Sequence, residues 1–418
     1  MNFEPRPHND FPRFIDLYYQ SCRAHWPNIL AIAGKWNFED LIPGMSDFDA
    51  RLIVADGMSV EDWCALSESV GRVHTEMVKR HPQWARLLEH LPGLNLTVSE
   101  LTDPTFYYPE FQQWTFHEGQ GAAMAIIRDY LANKPWSQRD ELFHLKKFAA
   151  YIGPYDRQID PPINMGRFES KYPLHSRFMH YFAPPVQSAV SLIERRGVGK
   201  LDALRSARHL FPDPDMIELI LDSLERHYET PAMYAEPLLT EIERRMEAYL
   251  GQVHAALVKH IALIRIEPQD TPAHLRAKLK TIPVDVAERF YAGVKFGRLM
   301  KGRLLFYAQN IEWFDSVPLI RIEHRRLAVT MYDTPLRTYG LARFKQELSA
   351  DRVLDRITGE LVSSEDRQRL GEIVAMCNAP LAEGRERQWA EELARIYDST
   401  LRLTEALGAD LRLRLEKR

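Results

Sequence analysis

The chain has 418 residues, 45% hydrophobic and 27% charged, with a formal net charge of −4. That length exceeds one ordinary domain of roughly 100–200 residues, and the composition is that of a soluble globular protein. The small net charge excludes global attraction to nucleic acid or anionic membrane, and no run approaches the ~18 consecutive apolar residues of a membrane span. Cys22, Cys64 and Cys377 are odd in number and lack metal-ligand spacing, as expected for reduced thiols in a cytoplasmic protein. The segment Met1–Pro12 carries Glu4, Asp10 and three prolines, which is not the pattern of a signal peptide.

In chain order, Phe11 to His25 reads as a helix with Phe14, Leu17, Tyr18 and Ser21 on one face and Asp10 as its cap. Asn28 to Gly34 is an apolar strand ending at glycine, and Leu52 to Val54 belongs to a second strand. After the Asp56-Gly57 turn, Ser59 caps a helix from Val60 to about Lys79, strengthened by Asp62. A shorter helix carries Trp84 and Leu87-Leu88. Strands follow at Leu94 to Val98 and Gln112 to His117, then a helix from Gly121 to Ala132.

Beyond this point strands become sparse. A loop or linker is expected around residues 153–170, then a helix from Leu174 to Arg196, interrupted by Pro184-Pro185 and stopped by Gly197. Asp213-Pro214 opens another helix, and a long one follows Pro237 as far as Ile264. The spacing predicts one helix from Val284 to Phe306, a short strand pair between Pro318 and Val329, and two or three helices from Leu348 to Arg418.

The stretch that carries chemistry is Gly44-Met45-Ser46-Asp47-Phe48-Asp49-Ala50-Arg51-Leu52-Ile53-Val54. In an extended strand Asp47 and Asp49 project to one face. Two carboxylates that close repel unless a cation lies between them, and a hard divalent ion such as Mg2+ prefers such oxygen donors with substrate phosphates. Solvated strand-end acids are the commoner explanation of a bare Asp-x-Asp. The upstream strand and Gly34, thirteen residues before Asp47, add the required context.

Strand, glycine turn, polar loop and Ser-Asp-x-Asp together resemble the polymerase-beta-type nucleotidyltransferase superfamily. Leu94-Asn95-Leu96-Thr97-Val98, Tyr107-Tyr108-Pro109 and Gln113-Trp114-Thr115-Phe116-His117-Glu118 are similar to segments of its aminoglycoside (streptomycin/spectinomycin) adenylyltransferases. The resemblance covers about residues 28 to 120. It implies that Asp47 and Asp49 hold Mg2+, that Gly34 and Ser46 form the phosphate-side turn, and that ATP or another nucleoside triphosphate is bound. Two departures stand out. Lys35 replaces the serine of the family's Gly-Ser turn, supplying a point charge instead of a hydroxyl. The family's third carboxylate falls on Asn95, which cannot act as a base. Glu100 and His117 are the candidate replacements, although in a regular strand Glu100 faces away from Asn95.

Lys200, in Gly197-Val198-Gly199-Lys200, is similar to a lysine that reaches the nucleotide phosphates in the same adenylyltransferases; a solvated lysine after a glycine stop is the competing reading. Phe106-Tyr107-Tyr108-Pro109 suits stacking on a base or packing against the sheet. Arg289, Lys295, Arg298, Lys301 and Arg303 lie among Phe290, Tyr291, Phe296 and Phe306; at helical spacing these read as a core face and a wet cationic face more readily than as a nucleic-acid surface. His175, His180, His209 and His227 have no zinc-site spacing.

The expected architecture is α+β: a nucleotidyltransferase domain with a mixed sheet at 1–145, a mostly helical domain at 146–345 completing the cleft, and C-terminal helices at 346–418. The expected function is Mg2+-dependent transfer of AMP, or another nucleoside monophosphate, to a hydroxyl of a small molecule, with no membrane or nucleic-acid partner. The alternatives are a nucleotide-binding sensor or partner-binding subunit that has lost transfer through Asn95, and an enzyme whose acceptor is tRNA or protein.

Overall fold

The computed structural model describes residues 10–35, 37–41, 46–105, 107–151, 182–229, 236–267, 269–294, 296–312 and 316–416. Gly44, Met45, Phe106, His175, His180, Lys295 and the expected loop at 153–170 lie outside them.

Helix α1 (Phe11–His25) leads into β1 (Ile29–Gly34), followed by β2 (Ala50–Val54) and α2 (Val60–Arg80). Ser59 and Asp62 close the expected capping box at the start of α2. Next come β3 (Leu96–Thr97), a one-turn helix α3 (Val98–Leu101), β4 (Thr115–Gly119) and α4 (Gly121–Asn133). The strands form one sheet in the order β3-β2-β1-β4, with β1 antiparallel to β2 and β4, and β2 parallel to β3. The architecture is therefore a mixed sheet in the N-terminal region followed by helices, as expected.

The remaining helices are α5 (Gln138–Tyr151), α6 (Ala183–Glu194), α7 (Lys200–Leu210), α8 (Pro214–Glu229), α9 (Glu236–Leu257), α10 (Pro272–Lys280), α11 (Val286–Val294), α12 (Met300–Gln309), α13 (Val317–Leu327), α14 (Thr334–Phe344), α15 (Ala350–Ile357), α16 (Ser364–Asn378), α17 (Glu386–Ile396) and α18 (Asp398–Glu416). Their faces build three apolar cores. One core joins α1 and the β1–β2 hairpin to α2, α12, α13 and α17. A second joins residues 94–127 to α11, α14, α15 and α18. The third lies within α5–α10. The helices from α11 onward pack onto both faces of the sheet.

Several expected elements differ. The third strand is only Leu96–Thr97, because Thr97 and Glu100 form a capping box that turns the chain into α3. Pro184 and Pro185 lie in the first turn of α6, where a missing N–H costs nothing, and residues 174–181 of the expected helix lie outside the described residues. Helix α9 stops at Leu257, short of Ile264. The single helix over 284–306 is two, α11 and α12, separated near Gly297. Residues 317–327 are helical and continue through a π-helical turn, Ala328–Asp333, into α14, so the strand pair is absent. Residues 350–416 hold four helices, more than expected, because short loops and serine caps at Ser349 and Ser363 break the amphipathic run.

Candidate metal centre and phosphate cleft

The segment entering β2 alternates. Phe48 is buried and packs edge-on against Phe14 (5.7 Å between ring centroids), which leaves Asp47 and Asp49 to project together elsewhere. Their carboxylates converge on a residue that sequence reasoning missed. His90 Nε2 lies 3.1 Å from Asp47 Oδ2 and 3.5 Å from Asp49 Oδ1. One ligand atom from each of the three lies within 4.8 Å of the others. The side chains are 14–26% exposed, so the cluster is partly open to solvent.

His90 is held from behind. Its Nδ1 is 3.0 Å from the Leu91 carbonyl oxygen, which also accepts from Arg303 Nη2 at 2.7 Å. Arg303, on α12, is buried and paired with Glu323 at 3.2 Å. No motif links His90 to Asp49, forty-one residues earlier. Only the packing of residues 84–93 against β2 and α12 unites them, through bonds such as Phe48 N–H to the Leu87 carbonyl and Gly93 N–H to the Ala50 carbonyl.

The flanking charges favour the ionised Asp49 carboxylate. Behind Asp49, the buried Arg51 donates to Glu110 at 2.9 Å and lies 3.7 Å from Asp49 Oδ1. Lys35 Nζ stands 4.0 Å from Glu110, and its backbone N–H donates to the Asp49 carbonyl. Burial would raise the Asp49 carboxyl, and Asp47 adds to that, but Arg51, Lys35 and His90 hold it below its ordinary value.

Lys200, the first residue of α7, is electrostatically coupled to the same acids. Asp40 Oδ1 accepts the Leu201 N–H at 2.8 Å, tying the first turn of α7 to the β1–β2 connection. A Cβ on Gly199 would stand 2.9 Å from Asp40 Oδ2, so the glycine lets that carboxylate approach closely. Burial pushes the Asp40 carboxyl up to about 6, against that N–H and Lys200. Burial and Lys35 draw the Lys200 ammonium below its ordinary value, while Asp40, Asp47 and Asp49 pull it back. Lys35, Lys200, Asp47 and Asp49 thus share one electrostatic neighbourhood. Gly34 ends β1, paired with Ala50 and Thr115, and Ser46 directly precedes Asp47.

The other candidates sit elsewhere. Asn95 is buried: its Oδ1 accepts the Leu52 N–H at 2.9 Å and its Nδ2 donates to the carbonyls of Pro92 and Gly93. Glu100 caps Thr97 and takes two hydrogen bonds from Arg298, at 2.6 and 2.7 Å. Despite its burial, Arg298 keeps the Glu100 carboxyl below its ordinary value, which suits an anchor better than a proton acceptor. His117 is the extra residue of a bulge between β4 and β1 and stacks on Phe38, with ring centroids 4.2 Å apart. Tyr107 and Tyr108 are buried, and the Tyr107 hydroxyl donates to Asp140 at 2.6 Å, so both pack instead of presenting rings to a base. The expected wet cationic face is turned inward: Arg298 binds Glu100 and Glu405, Lys301 binds Glu68 and Asp398, and Arg303 binds Glu323.

The donor set fits a divalent cation. Two carboxylates and an imidazole whose far nitrogen is tethered to a carbonyl are a recurrent first and second shell for such ions. No family model, no curated protein and no solved structure matches this chain. No helix among the described residues is long and apolar enough to cross a membrane.

Proposed function

We propose that this protein is a metal-dependent nucleotidyltransferase, moving AMP or another nucleoside monophosphate from its triphosphate to a hydroxyl of a small molecule. The observation that carries the reading is the convergence of Lys200 and Lys35 on Asp47 and Asp49. Acids alone are compatible with any cation site, whereas a carboxylate cluster faced by two lysines suits a metal-bound polyphosphate. In this arrangement Asp47, Asp49 and His90 would hold the metal, whose chemistry when bound would be to neutralise phosphate charge and polarise the phosphorus. Lys35 and Lys200 orient the triphosphate, and Lys200 belongs beside the oxygens of the departing pyrophosphate. Helix α7, fixed by Asp40, sets the width of the cleft.

A second reading keeps nucleotide binding without transfer. Asn95 favours it, since that side chain is fully engaged with backbone groups and supplies no base. Calorimetry with ATP in Mg2+ or Mn2+, followed by a pyrophosphate-release assay across hydroxylated acceptors, separates the two. Binding that needs metal and is weakened by Asp47→Asn or Asp49→Asn, with pyrophosphate release, supports the enzyme. Metal-dependent binding with no release under any acceptor supports the sensor. Binding unaffected by EDTA and by both substitutions overturns both.

A further inference from the structure

The resemblance implies an oxygen-only Mg2+ site, and His90 alters that donor set. Resting on the metal reading above, we infer that His90 is a direct metal ligand through Nε2 and makes the centre select Mn2+ over Mg2+.

The first ground is convergence. His90 Nε2 faces two carboxylates at 3.1 and 3.5 Å, while on the far side Nδ1 lies 3.0 Å from the Leu91 carbonyl oxygen and 3.3 Å from Arg303 Nη2. With the ring hydrogen on Nδ1 directed to Leu91, the Nε2 lone pair against two carboxylates is repulsive unless a cation shares all three. The second ground is spacing. Neighbouring ligands of an octahedral ion at ~2.1 Å stand ~3.0 Å apart, close to the separations seen here. The third is rigidity. Arg303 donates to the same Leu91 oxygen and is itself locked by Glu323, so the imidazole is held from outside the cluster, the usual second-shell arrangement of a ligating histidine.

Mg2+ demands oxygen donors and sheds water reluctantly. Mn2+ keeps the same octahedral preference and affinity for carboxylate and phosphate, yet stands above Mg2+ in affinity for nitrogen. A carboxylate–carboxylate–imidazole set therefore rejects neither phosphate nor water ligands but gains from the softer ion.

The test uses the full-length protein with the two ions alone and then with ATP. Calorimetry and the free-Mn2+ paramagnetic resonance signal give affinities, and pulsed resonance of bound Mn2+ reports directly on 14N in its shell. Wild type is expected to bind Mn2+ about 10- to 100-fold more tightly than Mg2+, with 14N modulation from one imidazole. His90→Gln should lose that modulation and most of the preference. His90→Asp, which restores an oxygen-only set, should shift the preference toward Mg2+. Because the modulation is read on wild type, the inference does not depend on the variants folding. Bound Mn2+ without 14N modulation, or equal Mn2+/Mg2+ ratios in wild type and His90→Gln, overturns the inference and leaves the nucleotidyltransferase reading standing. If wild type binds neither ion, with or without ATP, both fall.

Discussion

The side-chain oxygen of Asn95 accepts the backbone N–H of Leu52 at 2.9 Å, while its NH2 group donates to the carbonyls of Pro92 and Gly93. The residue that replaces the resembled family's third carboxylate thus serves as a bracket between β2 and the loop carrying His90. A carboxylate there would face two carbonyl oxygens with no hydrogen to give. Asn95→Asp should destabilise the protein by about 1–3 kcal/mol, and Asn95→Glu by more, without creating or raising transfer activity. Urea unfolding of both variants checks this; a stable Asn95→Glu protein with new pyrophosphate release would refute it.

Glu100 makes a related prediction. Its bidentate bond to Arg298 is mostly buried, and Arg298 also holds Glu405 and lies 4.2 Å over the Trp63 ring. Removing one partner of such a pair typically costs about 3–5 kcal/mol. Glu100→Gln should lower stability by an amount toward the lower end of that range, because Glu405 remains. Turnover per folded molecule should be unchanged. Loss of turnover at unchanged melting temperature would restore Glu100 as a base.

Lys200 should act on the phosphates alone. Lys200→Met should weaken ATP binding by about 10- to 100-fold, the equivalent of ~1.5–3 kcal/mol for a charged hydrogen bond. Adenosine affinity should stay as it is. Calorimetry with ATP, AMP and adenosine separates these, and an equal loss for all three would mean that α7 had moved instead.

Acid should unfold the protein through two buried histidines. Burial, with help from His90 and Arg303, draws His74 down to about 3, and burial with Lys147 does the same to His144. His74 Nε2 and the Tyr18 hydroxyl share a buried hydrogen bond of 2.8 Å. Both values are depressed below the unfolded value of about 6.5. Their stabilising contribution is therefore complete above pH 6.5 and lost as pH falls toward 3. Each is worth on the order of a few kcal/mol. Stability measured from pH 7 to 4 should fall steeply in wild type and less steeply in His74→Phe.

The crossing of α2 and α12 depends on two glycines. The Gly302 N–H donates to Ser67 Oγ at 2.7 Å, and a Cβ on Gly302 would collide with the Ser67 carbonyl. A Cβ on Gly71 would stand 2.9 Å from the Gly302 oxygen. Gly302→Ala should cost ~3 kcal/mol or more, beyond the effect of Gly71→Ala. Thermal denaturation of the two variants ranks them.

What the sequence determined by itself was local. Helix α1 (without the expected Asp10 side-chain cap), β1, the capping box of α2, and α4 stand where periodicity puts them, because each is set by neighbours within a few residues. By contrast, β4 is Thr115–Gly119 instead of Gln112–His117, because Pro109–Gln113 form a 3-10 turn. Asp47 and Asp49 were legible for the same reason: a period of two needs only an extended chain. Short amphipathic runs were not. Residues 318–329 read as a short strand pair in isolation, yet helical packing against α12 and α17 decides them. Glu100 left the strand phase because Thr97 starts a helix turn. His90, which completes the cluster, has no signal in the chain at all. It is placed by Leu91, by Arg303 from more than two hundred residues away, and by the fold of 84–93 onto β2. Lys200 likewise enters the field of the acids where Asp40 accepts the Leu201 N–H. Pairs of ligands close in sequence are written in its spacing, while a site closed by residues far apart exists only once the cores that carry them have packed.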